Sequence, residues 1–252
     1  MQKLSIITTV FNNVGGIKDT VNSIIDAKKF YKKFIIEWIV IDGGSNDGTK
    51  ELLTKFSEDI DIFISESDLG LYYGMNKGLR KVTGDLILFV NSGDRFLCDK
   101  KLNDIFPLNE REVHVFGYSS RGEDYYFNFF KLSKFWVRMP CHQAMIFPKL
   151  LNNEIVYYNT DYRVNADLDL KLKYFKHYKF IFNDEIKIQE VEAWGVSQNY
   201  SSLTSIFKIP YDQYRVAKAH NSFFSAILNF LFRIPWHVLK YLRYQLRKTF
   251  LK

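Results

Sequence analysis

Four apolar runs mark the first part of the chain, and each gives way to polar and glycine residues at its carboxyl end. They are Leu4–Val10, Phe34–Ile41, Ile60–Ser65 and Leu86–Val90. The last is the sharpest: LILFV runs directly into Asn91–Ser92–Gly93–Asp94. An uninterrupted run of this kind suits a strand buried on both faces. Between the four runs the spacing changes to a helical period. A helix is expected from Ile17 to Phe30, with Val21, Ile24 and Ile25 facing inward. Another is expected from Thr49 to Phe56 through Leu52 and Leu53, and a third from Tyr72 to Val82 through Met75 and Leu79. Strand and helix alternate, which predicts an α/β fold with a mostly parallel central sheet flanked by helices.

The pattern is less regular further on. Asp99–Phe106 suits a short helix, and Val113–Tyr118 and Ala144–Phe147 suit strands. Tyr125–Phe130 and Phe135–Val137 fit either strands or aromatic packing. Asp167–Phe175 is a helix with Leu168, Leu172 and Phe175 on one side, and Phe180–Phe182 and Ile186–Val191 are strands. No repeat or low-complexity run interrupts the chain before about Ser202. The expected organisation is one domain over 1–201 and a helical segment over 202–252.

Charge sharpens that division. The chain of 252 residues carries a net charge of +7, but Gln213 to Lys252 holds eight Lys or Arg and no acid. The remainder, 1–212, is close to neutral, with 27 basic and 28 acidic residues. A basic face for nucleic acid is therefore not expected on the main body. From Trp236 onward, Val238, Leu239, Leu242 and Leu246 make one helix face, while Lys240, Arg243, Arg247 and Lys248 fall largely on another. Such a helix suits an anionic membrane surface, anchored by Phe232, Trp236 and Phe250, or a helix packed on the core with solvated lysines. The MQKLSIITTV start reads as a strand and not as a signal peptide, and no window is apolar enough to span a membrane. Cys98 and Cys141 make neither a disulfide framework nor a metal cluster, in keeping with a reducing compartment.

The candidate chemistry lies at the strand ends, which carry Asn12, Asp42, Asp68 and Asp94. Ligands of open α/β sheets bind outside the carboxyl ends of the strands. An acid there can hold a cation against a phosphate-bearing ligand. The dinucleotide glycine fingerprint, the P-loop, HExxH and GxSxG are all absent, which excludes the commonest signals for those chemistries. A nucleotide-and-metal site without a P-loop remains. Asp167, in Asn165–Ala166–Asp167–Leu168–Asp169, is the candidate general base, since a helix start favours a charged carboxylate. The same position equally suits an N-cap. Asp169 ranks below it.

These segments together resemble the inverting family 2 glycosyltransferases of the bacterial surface-polysaccharide type, with a GT-A fold. The resemblance runs from Ser5–Asn12 through Val40–Thr49, Ser65–Tyr72, Met75–Gly78 and Thr83–Asp94 to Cys141–Ala144 and Ala166–Leu170. It implies a GT-A-like nucleotide-diphospho-sugar transferase with a C-terminal basic helical tail. By that resemblance Thr9, Phe11 and Asn12 line the nucleoside, and Asp42 hydrogen-bonds the base. Asp68, Gly70, Asn76 and Lys77 surround nucleoside and ribose. Asn91 and Ser92 belong to the metal motif, in which Asp94 holds Mn²⁺ or Mg²⁺. His142, beside Gln143, contacts diphosphate or metal, and Asp167 is the base.

The implied reaction moves one sugar from a nucleotide-sugar, with UDP the expected nucleotide, to a hydroxyl of a lipid-linked or growing surface glycan. The expected place is the cytoplasmic face of the inner membrane, held peripherally by the tail; a homodimer is compatible with this. Departures from the family pattern are Asn91 for the first acid of the metal motif, Gly43 for a second acid, Leu69, Tyr73 and Trp194. They leave open a non-catalytic subunit with the same fold. A sugar nucleotidyltransferase is the other alternative, although Thr9–Gly16 lacks the basic residues a triphosphate loop needs.

Overall fold

The computed structural model describes residues 1–120, 122–126, 132–133, 136–137, 139–192 and 205–220, with short pieces between 226 and 242. The chain forms two compact units. The first comprises Met1–Phe129, Pro140–Tyr158 and Lys173–Ala193; the second comprises Phe130–Met139, Asn159–Leu172 and Trp194–Lys252.

The elements follow the hydrophobic pattern closely at the start. They are β1 (Lys3–Val10), α1 (Val14–Phe30), β2 (Ile35–Asp42), α2 (Thr49–Thr54), β3 (Ile62–Ser65), α3 (Leu71–Leu79) and β4 (Leu86–Phe89). Then come β5 (Arg95–Phe96), α4 (Lys100–Ile105), β6 (Glu112–Ser120), β7 (Glu123–Tyr125), β8 (Leu132–Ser133) and β9 (Trp136–Val137). The remainder is β10 (Met145–Pro148), α5 (Ala166–His177), β11 (Lys179–Glu190) and α6 (Ser205–His220). Asn13 starts α1 by accepting the Gly16 amide at 3.1 Å, and Asp99 starts α4 by accepting the Lys101 amide at 2.7 Å. Each satisfies one of the free amides of a helix start.

Among the described residues the strands of the first unit make a nine-stranded sheet in the order β3-β2-β1-β4-β10-β6-β11-β5, with β7 paired antiparallel to the end of β6 at Tyr118–Ser120. The sheet is mixed, and not mostly parallel. β3, β2, β1 and β4 run parallel. β10 then enters antiparallel between β4 and β6, and β5 lies antiparallel on β11. Alternating strands and helices announce only the parallel half; β10 is reached through a long irregular excursion that fixes no direction. The two strands expected over 180–191 are one strand, β11, irregular in register between Asn183 and Gln189. β5 is too short for a period.

β1 and β2 each bury seven consecutive residues, so both sheet faces are covered. Trp38 is wholly buried and donates its indole N–H to Thr8 Oγ1 at 3.0 Å. A polar node interrupts this apolar core. Glu37 on β2 lies directly across from Ser5 on β1 and accepts its hydroxyl. It also accepts the Thr83 amide at 3.0 Å and the Thr83 hydroxyl, while Ser5 Oγ receives the Gly84 amide at 3.0 Å.

In the second unit, α6 extends over the beginning of what was expected to be tail. Phe232, Trp236, Leu246 and Phe250, and the cations Lys240, Arg243, Arg247 and Lys248, lie outside the described residues. Among the described residues no helix is long and apolar enough to cross a membrane.

Candidate active site

Parallel pairing in register brings the strand ends of the first unit level. Val10 lies opposite Asp42, and Asp42 opposite Ser65. β4 stops at Phe89 opposite Ile7, and the chain continues alongside β1 through Ser92 N to Thr9 O at 3.1 Å. The Asn91–Asp94 turn is thereby laid beside the end of β1.

That turn is held from several directions. Thr9 Oγ1 donates to Asn91 Oδ1 at 2.8 Å, and Asn13 Nδ2 donates to Ser92 Oγ at 3.0 Å. Thr20, on α1 and wholly buried, donates to the Asp94 carbonyl at 2.7 Å and accepts the Gly93 amide at 3.0 Å. Gly93 has φ of +95°, and a Cβ there would meet Glu192 Oε2 at 2.0 Å, so the position admits only glycine without rearrangement.

Asp94 is the centre of the arrangement and is only 2% exposed. Its Oδ1 accepts the Glu192 amide at 2.8 Å; its Oδ2 accepts the Asn91 amide at 3.2 Å and the side-chain amide of Gln143. Burial pushes its pKa up to about 7, against the pull of these donors, and the neighbouring Glu192 charge adds to the rise. Gln143 lies in a short 3-10 turn, His142–Ala144, where the His142 ring meets the Phe89 ring edge-on at 6.0 Å.

The residues expected on the nucleoside side form a second cluster. Asn12, at φ of +48°, joins the two first loops: its amide donates to Ser45 Oγ at 2.8 Å and its Oδ1 accepts the Asn46 amide at 2.9 Å. Asp42 is fully buried and accepts from the Ser45 hydroxyl and amide and from Ser65 Oγ at 2.7 Å. Asp68 accepts the Gly70 amide at 2.9 Å and lies between Gly43 and Gly74, where an added Cβ would come within 3.2 and 3.1 Å of its Oδ2. The glycine in place of a second acid at Gly43 thus makes room for Asp68. Phe11 is 62% exposed at the rim. Lys77 reaches the Ser67 carbonyl at 3.2 Å and Glu66 at 3.0 Å. The Asn76 amide exchanges two hydrogen bonds with the Tyr158 backbone, at 2.9 and 2.8 Å, below a Tyr72–Tyr158 stack. Tyr73 is 37% exposed, and Trp194 lies outside the described residues.

Asp167 belongs to the second unit, as the second residue of α5, where it pairs with buried Lys171 at 2.8 Å. Asp169 is 3% exposed and meets His220 Nε2 at 2.7 Å.

Two residues of the Asp94 surroundings were not among the expected site residues. Gln143 lies in the Cys141–Ala144 segment that carries the resemblance, but the resemblance assigns it no role of its own. Glu192 follows the last strand and could have been found by the strand-end rule that selected Asp94. Among the described residues no group of three or more His, Cys, Asp or Glu is placed to hold a metal ion. The carboxylates on this turn are Asp94 and, against Gly93, Glu192, and a cation bound chiefly by phosphate and water needs only one or two such groups from protein.

Residues 5–167 match the family described as Glycosyl transferase family 2. The chain belongs to that family. An uncharacterized glycosyltransferase of Mycobacterium tuberculosis is 40% identical over 93 residues, which is 37% of this chain and 34% of that protein. The putative teichuronic acid biosynthesis glycosyltransferase TuaG of Bacillus subtilis is 30% identical over 126 residues, 48% of each chain. The stretches shared with these relatives thus cover about a third to a half of the relatives' length. Among solved structures, S. aureus TarS in complex with UDP aligns with 92% of this chain and 71% of its own, at a TM-score of 0.60 and 19% identity. The mannosyltransferase PcManGT from Pyrobaculum calidifontis, in complex with GDP-Man and Mn²⁺, aligns with 95% and 73%, at 0.63 and 15%. At these identities the structures show a shared GT-A-like fold. The family and its fold therefore agree with what the motifs imply.

Proposed function

We propose that this chain is an inverting glycosyltransferase. It moves one sugar from a nucleotide-sugar to a hydroxyl of a lipid-linked or growing surface glycan. The observation that carries this is the Asn91–Asp94 turn: it is pinned beside the end of β1 by Thr9, Asn13 and Thr20, and it places a buried acid where parallel strands end. Family membership, the UDP bound in TarS and the teichuronic acid biosynthesis in the name of TuaG support the donor and acceptor classes.

In the reaction the acceptor oxygen attacks the anomeric carbon from the face opposite the nucleotide. Asp167 takes the hydroxyl proton, the new glycosidic bond forms, and the bond to the diphosphate oxygen breaks with its electron pair leaving on the nucleoside diphosphate. A single displacement inverts the centre. Asp94, with Glu192, would hold Mn²⁺ or Mg²⁺, which when bound offsets the charge on the departing diphosphate. Asn12, Asp42, Asp68 and Gly70 order the loops that receive the nucleoside. His142 and Gln143 complete the diphosphate side.

The segment 202–252 would place the enzyme peripherally on an anionic membrane surface, on the cytoplasmic face, where a lipid-linked acceptor is presented. Its lack of any acid after Asp212 supports this. Truncation before residue 223 should release the protein from anionic vesicles while leaving UDP binding intact; unchanged vesicle binding would refute it.

The decisive experiment is nucleoside diphosphate release from UDP-, dTDP- and GDP-sugars with Mn²⁺ and a lipid-extract acceptor, in the native protein and in D94A and D167N. One donor should turn over, D94A should lose metal-dependent donor binding, and D167N should bind nucleotide without transferring. Asn91 in place of an acid favours one second reading, a non-catalytic binding subunit. Binding without release from any donor would establish that reading.

A further inference from the structure

We infer that Asp212 and His220 of α6 are positioning residues for Asp167, and that α6 is the frame which sets the base. The inference rests on the proposal that Asp167 is the base. A general base works only when its carboxylate is placed to within a fraction of an ångström of its target. Asp167 stands in the first turn of α5, and helix starts fray unless something outside the helix holds them.

α6 supplies such a hold from within the same unit. Asp212 Oδ2 accepts the Val164 amide at 3.0 Å, three residues before Asp167. His220 Nε2 meets Asp169 Oδ1 at 2.7 Å, two residues after it. Between these grips, Asn165 Nδ2 donates to the Ile209 carbonyl at 3.3 Å. Arg215 donates to the Asp161 carbonyl at 2.9 Å and lies over the Tyr162 ring at 5.0 Å. Asn165, Asp169 and Asp212 are each no more than 7% exposed.

The polarity of this contact is informative. Two helices that needed only to adhere would gain as much from apolar side chains, without the cost of burying carboxylates. Buried hydrogen-bonded groups hold direction as well as contact, because they work only at one separation and angle. Here Asp212 engages Val164 and His220 engages Asp169, one on each side of Asp167.

The test uses the full chain with D212N, H220F and H220Q, the last keeping an amide donor in place of Nε2. Hydrogen–deuterium exchange is followed in 159–172, with β2 (35–42) as reference. D212N and H220F should speed exchange in 159–172 at least tenfold and leave 35–42 unchanged. With UDP-N-acetylglucosamine and GDP-mannose as probes, kcat per UDP-binding site should fall at least tenfold for D212N and H220F, with donor KM within twofold. H220Q should recover most of the loss. Unchanged exchange in 159–172, or a rise in donor KM matching the fall in kcat, would overturn the inference. A fully active D167N would instead remove the base assignment itself, and the two failures are told apart because exchange does not depend on turnover.

Discussion

Thr20 offers a sharp test of how the Asn91–Asp94 turn is built. Thr20→Val removes one hydroxyl and almost no volume from a side chain with no exposure. Two short hydrogen bonds go with it, the 2.7 Å bond to the Asp94 carbonyl and the 3.0 Å bond from the Gly93 amide. Each is worth about 1 kcal/mol net, and each leaves a backbone group with a desolvation cost of about 1–3 kcal/mol where water does not replace the hydroxyl. The expected loss is therefore about 3 kcal/mol. At about 2–4 °C per kcal/mol for a chain of this size, that is a fall in Tm of about 6–12 °C. Thr20→Ser keeps the oxygen and loses one methyl, at about 1 kcal/mol. The assay is urea unfolding of the three proteins side by side, followed by UDP binding. T20V within about 0.5 kcal/mol of T20S would refute the claim that this hydroxyl staples the turn.

Glu37 should make stability acid-sensitive. Burial alone would raise its pKa, but the hydrogen bonds from Ser5 and Thr83 and the nearby Lys3 charge outweigh it and hold the group below its ordinary 4.5. It therefore binds a proton less readily folded than unfolded. Its contribution is complete above pH 4.5 and is lost as pH falls through the lower folded value, so E37Q should flatten the acid limb of a urea-midpoint profile between pH 6 and 3. Gly93→Ala should cost about 1–3 kcal/mol from the positive φ and displace Glu192; a crystal structure with Glu192 unmoved would contradict the close approach seen at that glycine. Asn76→Ala leaves the Tyr158 backbone without two partners and should cost about 2–4 kcal/mol in thermal unfolding, well beyond any effect on nucleotide affinity.

Much of the first unit is legible because its information is local. Leu86–Phe89 is apolar throughout and Leu4–Val10 carries only small polar residues, Ser5, Thr8 and Thr9, among its apolar ones, and a strand covered on both faces needs no partner to be recognised. The strand-end acids follow at once in the sequence. What escapes is whatever depends on distant chain. The direction of β10 is set by β4 and β6, nearly sixty residues and some thirty residues earlier in the chain. Gln143 and Glu192 reach Asp94 across 49 and 98 residues. Thr20 reads as an ordinary polar residue on a helix, and nothing in its neighbours discloses that it faces a turn 74 residues away. The helix α6 falls within the helical segment expected over 202–252, but its packing escaped for a related reason: the charge of the last forty residues reads as surface, whereas Asp212 is buried and His220 half-buried in the second unit.

The Glu37 node also acts as a proofreader of assembly. Leu4, Ile6, Ile7 and Val10 on β1 and most of β2 are apolar, and hydrophobic contacts of this kind discriminate weakly between one alignment and the next. With Glu37 opposite Ser5, a shift by one position sets an ionised carboxylate against Leu4 or Ile6, both wholly inaccessible to water. Misaligned pairings are thus penalised while the chain is still folding, and Asp42 reaches its place level with Val10 because a mistake five residues upstream would be intolerable.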